Sequence, residues 1–256
     1  MDEAAIRGHL DEEGVLDLSD LELTDAALEG WEAFSWLAGV VSLDLSANEL
    51  TDAGLERLGR CELLQGLSTL DLSRNDLSER AGEILAASSC LRRLRELWLG
   101  SNPIGDAGVE ALAGSPVVSG LERLGLAHCA LGEQAVARLA ASPWLGSLWD
   151  LDVRGAPVGP AGAQAIADAA SLEALEVLDV SDNGLGPEAL GEADVEKLIR
   201  SPRLPALRKI ILLPPRIWGA GGEVDVVAWR RRFAKEGRKK KSPGGSVGGG
   251  SRGGRR

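Results

Sequence analysis

Apolar residues recur along this chain in a fixed phrase. It runs leucine, polar residue, leucine, two small or polar residues, an asparagine or its substitute, one more residue, then an aliphatic one. Leu43-Asp44-Leu45-Ser46-Ala47-Asn48-Glu49-Leu50 is the first full copy, and others start at Leu70, Leu97, Leu124, Leu151 and Leu178, 27 residues apart. A weaker copy starts at Leu16, and a last fragment, Ile210-Ile211-Leu212, follows Leu178 by 32 residues. Three positions ahead of the copies stand Val40, Leu67, Leu94, Leu121, Leu148, Leu175 and Leu207. Strict alternation around each leucine pair predicts a short strand with the leucines on one face. Thr51-Asp52 and Gly105-Asp106 then open predicted helices, with Leu55 and Leu58, or Val109 and Leu112, at helical spacing.

Strand, turn, helix and return make one coil, and such a coil buries its apolar faces only against its neighbours. Parallel strands sit about 4.8 Å apart, whereas packed helices need about 8–10 Å. The stack must therefore bend, with strands inside and helices outside. A buried asparagine suits the strand exit, because one amide supplies both donors and an acceptor to the turning backbone.

The phrase resembles the leucine-rich repeat, LxxLxLxx(N/C)xL, over roughly positions 13–215. The coil length and the openings Thr51-Asp52-Ala53-Gly54 and Gly105-Asp106-Ala107-Gly108 are most similar to the ribonuclease-inhibitor-like subclass. The family asparagine is present at Asn48, Asn75, Asn102 and Asn183. Cys129 replaces it within the consensus, and Ala156 and Leu21 replace it outside the consensus, which suggests loosening near Ala156 and a capping role for the first copy. The resemblance implies an α/β fold: a leucine-rich-repeat solenoid, or horseshoe arc, of about eight coils including caps. Its parallel strands would line the concave face and its helices the convex face. The implied organisation is an N-terminal cap and degenerate first repeat at 1–39, repeats at 40–206, a last strand and C-terminal cap at 207–234, and a disordered basic Gly-rich tail at 235–256.

Such folds carry function on the inner face, where the residue between the strand leucines points. That column reads Asp17, Asp44, Asp71, Trp98, Gly125, Asp152, Asp179, Ile211. The carboxylates either form a negative surface for a basic partner or are repeat residues retained for solubility. Trp98 interrupts them, beside Gly100, Gly125 and Ala127, and an exposed tryptophan among small residues is a natural contact anchor. Arg123, His128, Asp150, Asp152 and Arg154 are expected to surround it. The partner-binding set is therefore Trp98, Arg123, His128, Asp150, Asp152, Arg154, Asp44, Asp71 and Asp179, and the alternative for Trp98 is that it lies flat on Gly125 as packing.

Composition narrows the chemistry. The chain has 256 residues, two histidines and three cysteines without a CxxC pair. No phosphate-binding loop, zinc-protease or nucleophile-elbow motif occurs. A His128–Cys129 dyad fails, because neighbouring residues leave the phrase in opposite directions. No catalytic residue, cofactor or metal is expected. The N-terminus lacks a secretory signal and no apolar run is long enough to span a membrane. With no disulfide framework in view, a cytoplasmic monomer is expected, or a nuclear one where the cell has a nucleus.

The formal net charge of −11 divides unevenly. Residues 216–256 hold 12 Lys+Arg and 3 Asp+Glu (+9), leaving 16 and 36 (−20) for residues 1–215. The tail suits a solvated role, nucleic-acid contact or docking on the acidic body. Val224, Val227, Ala228 and Trp229 are expected to cover the last coil. The leading expectation is a non-catalytic module binding a protein on its concave face. The alternatives are nucleic-acid association through the tail, and a GTPase regulator, since Ran GTPase-activating proteins share the repeat subclass.

Overall fold

The structure is a computed structural model that describes residues 2–183, 189–212 and 222–231. Eight short parallel strands lie side by side in chain order: β1 (Val15–Asp17), β2 (Ser42–Asp44), β3 (Thr69–Asp71), β4 (Glu96–Trp98), β5 (Arg123–Gly125), β6 (Asp150–Asp152), β7 (Val177–Asp179) and β8 (Lys209–Ile211). From β1 to β7 every Cα partner is 27 residues away, as in Leu43 with Leu70 and Asp71 with Trp98. The repeat period is therefore the sheet register. The strand leucines are at most 2% exposed and form one continuous core with the helix residues behind them.

Helices return the chain from one strand to the next: α2 (Asp52–Arg60), α3 (Arg80–Ala87), α4 (Gly105–Ala113), α5 (Glu133–Ala141), α6 (Gly159–Asp168) and α7 (Glu192–Arg200). Leu55, Leu58, Val109 and Leu112 all face the core. Thr51 caps α2 by accepting the Ala53 N–H at 3.2 Å. Asp52 does something the sequence did not suggest: its Oδ1 accepts the Ser78 N–H at the same point of the next coil, at 3.0 Å. Asp25 accepts from Thr51 and Asp106 from Gly132 in the same manner, so the helix openings tie neighbouring coils together. Between α3 and α4 the backbones meet at Gly82 and Gly108, where a Cβ on Gly82 would overlap the Gly108 carbonyl.

The asparagine ladder works as its position implies. Asn75 Nδ2 donates to the carbonyls of Leu45 and Leu72 at 2.9 and 3.0 Å, while Oδ1 accepts from Leu50 at 3.0 Å. Asn48 and Asn102 repeat the arrangement one coil to either side. Cys129 keeps part of it, with Sγ 3.2 Å from the Leu99 carbonyl. Ala156 brings no polar group, yet it is buried at 1% with Val153 and Val158 packed beside it in the core. Just before the asparagine, each turn uses a left-handed residue: Asp20, Ala47, Arg74, Ser101, His128, Gly155 and Asp182 have φ between 54° and 77°. Only at Gly155 is that conformation free of side-chain cost.

Both ends are closed. Helix α1 (Glu3–Arg7), capped by Asp2, buries Ile6, and Leu10 forms an antiparallel bridge to Leu16 on β1. The first coil replaces its helix with short 3-10 turns around buried Leu28, Trp31 and Leu37. At the other end β9 (Glu223–Asp225) pairs antiparallel with β8, and helical residues 226–231 follow. Val224 and Val226 are buried there, but Val227 and Ala228 are exposed, which corrects two of the expected cover residues. The strand continues to Asp225 and alternation governs which side chains turn inward. Trp229 is half-buried under Arg200, and Arg230 donates to the carbonyls of Ile199 and Leu204 at 2.7 and 2.9 Å. The expected tail, 235–256, lies outside the described residues. No helix among the described residues is long and apolar enough to cross a membrane.

Candidate functional site: the open face of the sheet

Helices cover one face of the sheet, so the strand side chains on its other face meet solvent. The carboxylates on that face have a backbone duty. Oδ1 of Asp17, Asp44, Asp71, Asp152 and Asp179 each accepts the N–H two residues on, at 2.8–3.0 Å. These bonds hold the strand exit just before the left-handed turn, in the way of an Asx turn. In this ladder the aspartate secures the coil.

Over β1–β3 the carboxylates make no ion pair among the described residues, although the charge of His9 acts on Asp17. No lysine or arginine among the described residues pairs with Asp17, Asp44 or Asp71. Burial pushes the Asp71 carboxyl above its ordinary value, and the nearby Asp44 adds to the shift. Asp17 is more exposed, and hydrogen bonds from the Ser19 hydroxyl and N–H pull it below. Ser19, Ser46 and Ser73 complete a polar, small-residue strip.

Over β4–β7 the same face is differently furnished. Trp98 is half-buried, with its six-membered ring lying directly on Gly125: a Cβ there would overlap Cε3. The flat-lying arrangement is therefore the one adopted. Arg123 does not turn to Trp98. Its guanidinium lies 4.7 Å from the ring centroid of Trp149 and reaches Glu96 at 3.4 Å and Asp150 at 3.7 Å. Its Nε is buried without a hydrogen-bond partner. Asp150 is pushed up by burial, against the pull of Arg123. Arg154 grips Asp152, with Nε 3.0 Å from both carboxylate oxygens and Nη2 2.7 Å from Oδ2, and approaches Asp179 at 3.5 Å. Those contacts raise the Arg154 pKa further.

His128 stands at the strand exit, exposed, with its ring over Gly155 of the next coil. The expected ring around Trp98 thus resolves into three groups: Trp98 on Gly125, Arg123 with Trp149 and Asp150, and Arg154 with Asp152 and Asp179. Trp149 was missed because it lies one residue ahead of the strand, outside the columns read from the leucine alternation. The signal was present, since the positions Val41, Ser68, Arg95, Glu122, Trp149 and Glu176 form a column of their own, tied by an Arg95–Glu122 ion pair.

Cys129 is buried at 1% with its thiol pushed up to about 11 by desolvation, while His128 points to solvent. Among the described residues no group of histidine, cysteine and carboxylate side chains gathers to hold a metal.

A family model described as leucine-rich repeat matches residues 40–59, 91–113 and 174–191. No curated protein matches the chain. Among solved structures, an internalin from Listeria monocytogenes is similar at 22% identity and a TM-score of 0.33, over 48% of this chain and 31% of that one. The match thus spans about a third of that internalin chain.

Proposed function

We propose that this leucine-rich-repeat solenoid is a non-catalytic module that holds a protein partner on the open, concave face of its sheet. Leucine-rich repeats in general mediate protein–protein interaction. The contact would centre on Trp98, Arg123 and Trp149, with Asp44, Asp71, Asp150, Asp152, Arg154, Asp179 and His128 around it. One observation carries the reading: two half-buried tryptophans and an arginine stacked on one of them occupy the solvent side of a rigid sheet. Tryptophan and arginine dominate interface energetics, and side chains already fixed by Gly125 and Asp150 lose little freedom on docking. The carboxylates Asp44 and Asp71, which no lysine or arginine among the described residues pairs with, favour a basic patch on the partner. The coil length and helix openings keep the ribonuclease-inhibitor-like subclass as our assignment, and the chain is taken as a monomer divided at about residues 39, 206 and 234. Free, buried Cys61, Cys90 and Cys129 fit a reducing compartment such as the cytoplasm.

The test is affinity capture from native lysate, followed by titration of the purified partner. Arg123→Ala and Trp149→Ala are expected to weaken binding about tenfold or more, a loss of about 1.4 kcal/mol. Glu83→Ala on α3 is the control on the helix side. Wild-type affinity in both face variants would overturn the reading.

A further inference from the structure

Glu96, Arg123 and Asp150 are cross-strand neighbours in register on β4, β5 and β6, so one guanidinium stands between two carboxylates. Neither contact is tight. Arg123 Nη1 is 3.4 Å from Glu96 and Nε is 3.7 Å from Asp150, where a strong charge-assisted bond closes to about 2.7–2.9 Å. The guanidinium lies instead on the Trp149 ring, and its Nε–H is buried with no acceptor. A buried donor left unpaired is unfavourable. Attraction to the ring and to the carboxylates must therefore hold the side chain there, with no help from Nε.

Of the two carboxylates, Asp150 is the one placed at a cost. Its neighbour on the far side, on β7, is Val177, and no hydrogen bond from a described residue reaches its carboxylate. Burial holds its pKa above the ordinary carboxyl value, and Asp152 on its own strand, Asp179 on β7 and Glu96 on β4 add to the shift against the pull of Arg123. Arg154 is committed to Asp152 and Asp179. Arg123 and Asp150 thus depend on each other. A proton on Asp150 cancels one of the attractions that keep Arg123 on the indole, and leaves its Nε–H buried beside a neutral acid. The Arg123 side chain is 36% exposed, so water is within reach of a rotamer change. Arg95 and Arg208, the cations on either side of Trp149, are engaged by Glu122 and Glu176 and do not replace it over the ring.

We infer that Arg123 is a proton-operated cover for Trp149: with Asp150 ionised the guanidinium lies on the indole, and with Asp150 protonated it turns out to water and bares the ring on the open face of the sheet. The consequence for docking rests on the function proposed above, in which Trp149 is a contact residue and acid would change the surface a partner meets. The cover itself needs no partner, and its test uses none, so each can fail without the other.

The Arg123 Nε–H and the Trp149 indole N–H are followed by 15N–1H NMR on the full chain, assigned through R123K and W149F. The Asp150 side-chain carboxyl carbon reports its own proton uptake in the same samples. At neutral pH the buried Nε–H is expected to exchange with water about tenfold more slowly than that of Arg60, whose side chain is 79% exposed. As Asp150 takes up its proton, that ratio should fall toward unity and the indole signal should move with the same midpoint. The backbone amides of Leu97 and Leu124 show whether the sheet stays intact. D150N should give the uncovered signals at neutral pH without any titration, and this comparison decides alone if acid opens the sheet first. E96Q should keep the protection. An Nε–H that stays protected after Asp150 has titrated would overturn the proposal. So would a transition that survives in D150N, which would assign it to Asp152, Asp179 or Glu96, or a loss of protection in E96Q, which would make Glu96 the anchor.

Discussion

Strands β1–β3 and β4–β7 show solvent the same backbone in the same 27-residue register, yet they treat their carboxylates in opposite ways. Among the described residues Asp44 and Asp71 stand without a cation and Asp17 has only the charge of His9 near it, whereas Asp150, Asp152 and Asp179 share Arg123 and Arg154. In both halves an aspartate secures the strand exit through Oδ1, so the backbone requirement cannot account for the difference. What differs is charge compensation and the bulk that surrounds it. The second half is a finished surface, with tryptophan on glycine and arginine on tryptophan; the first is an unbalanced one. Residues that a fold holds for geometry can thus bring a charge that the fold does not use, and that charge is free to act on something else.

Gly125 offers the largest way to break the comparison. A Cβ at that position overlaps the Trp98 ring, so Gly125→Ala must lift the indole off the sheet. We expect a loss of about 1–3 kcal/mol in urea unfolding and a red-shifted tryptophan emission. A Trp98 that stayed in place would mean that the ring is not seated on the backbone. Trp98→Ala is expected to lower stability as well as binding, by about 1–2 kcal/mol, less than the about 3–5 kcal/mol of a fully buried tryptophan. Trp98→Phe, which keeps a ring over Gly125, should recover much of the stability.

Arg154→Met makes the second half resemble the first. Asp152 is buried and loses its bidentate partner, but the arginine itself is largely exposed, so solvent screening holds the expected cost to about 1 kcal/mol. The loss should show in thermal melts at low salt and shrink as salt is added. A Tm independent of salt would show that Arg154 contributes packing rather than charge.

The smallest effects separate the carboxylates of the first half by sign. Asp71 has a raised value when folded, so its native state binds a proton more tightly than the unfolded chain does. Stability falls as pH rises from the ordinary carboxyl value through the folded one, and at neutral pH the ionised group is a cost. Asp71→Asn should therefore raise Tm slightly at neutral pH, and the gain should vanish below the ordinary value. Asp17 is lowered, so its contribution is present above the ordinary value and lost as pH falls through the folded one. Asp17→Asn should reduce Tm slightly at neutral pH and do nothing in acid. Shifts of the same sign in both variants would dissolve the contrast.

The architecture was legible because a 27-residue period leaves one register in which every leucine is buried. Leu43, Leu70 and Leu97 had to pair, and Asn48, Asn75 and Asn102 had to stand at the exits. The site was legible only as columns. Trp98 and Gly125 were adjacent by register, so their stacking was an open alternative from the start. Arg123 was different: its choice of Trp149 over Trp98 depends on a rotamer that no periodicity encodes. The same holds for Val226 over Val227 at the C-terminal cap, where the antiparallel return of β9 sets which valines turn inward.

By itself, then, the chain's repeat determined the stacking order, the buried leucines and the identity of the columns, since burial of identical apolar edges admits one solution. The tertiary structure decided which long side chains pair across those columns. An arginine on an open sheet can swing toward several partners within its reach, and only the local positions of indole, carboxylate and glycine select among them. It also gave the aspartates their second meaning as backbone acceptors, because that bond exists only once the turn is formed.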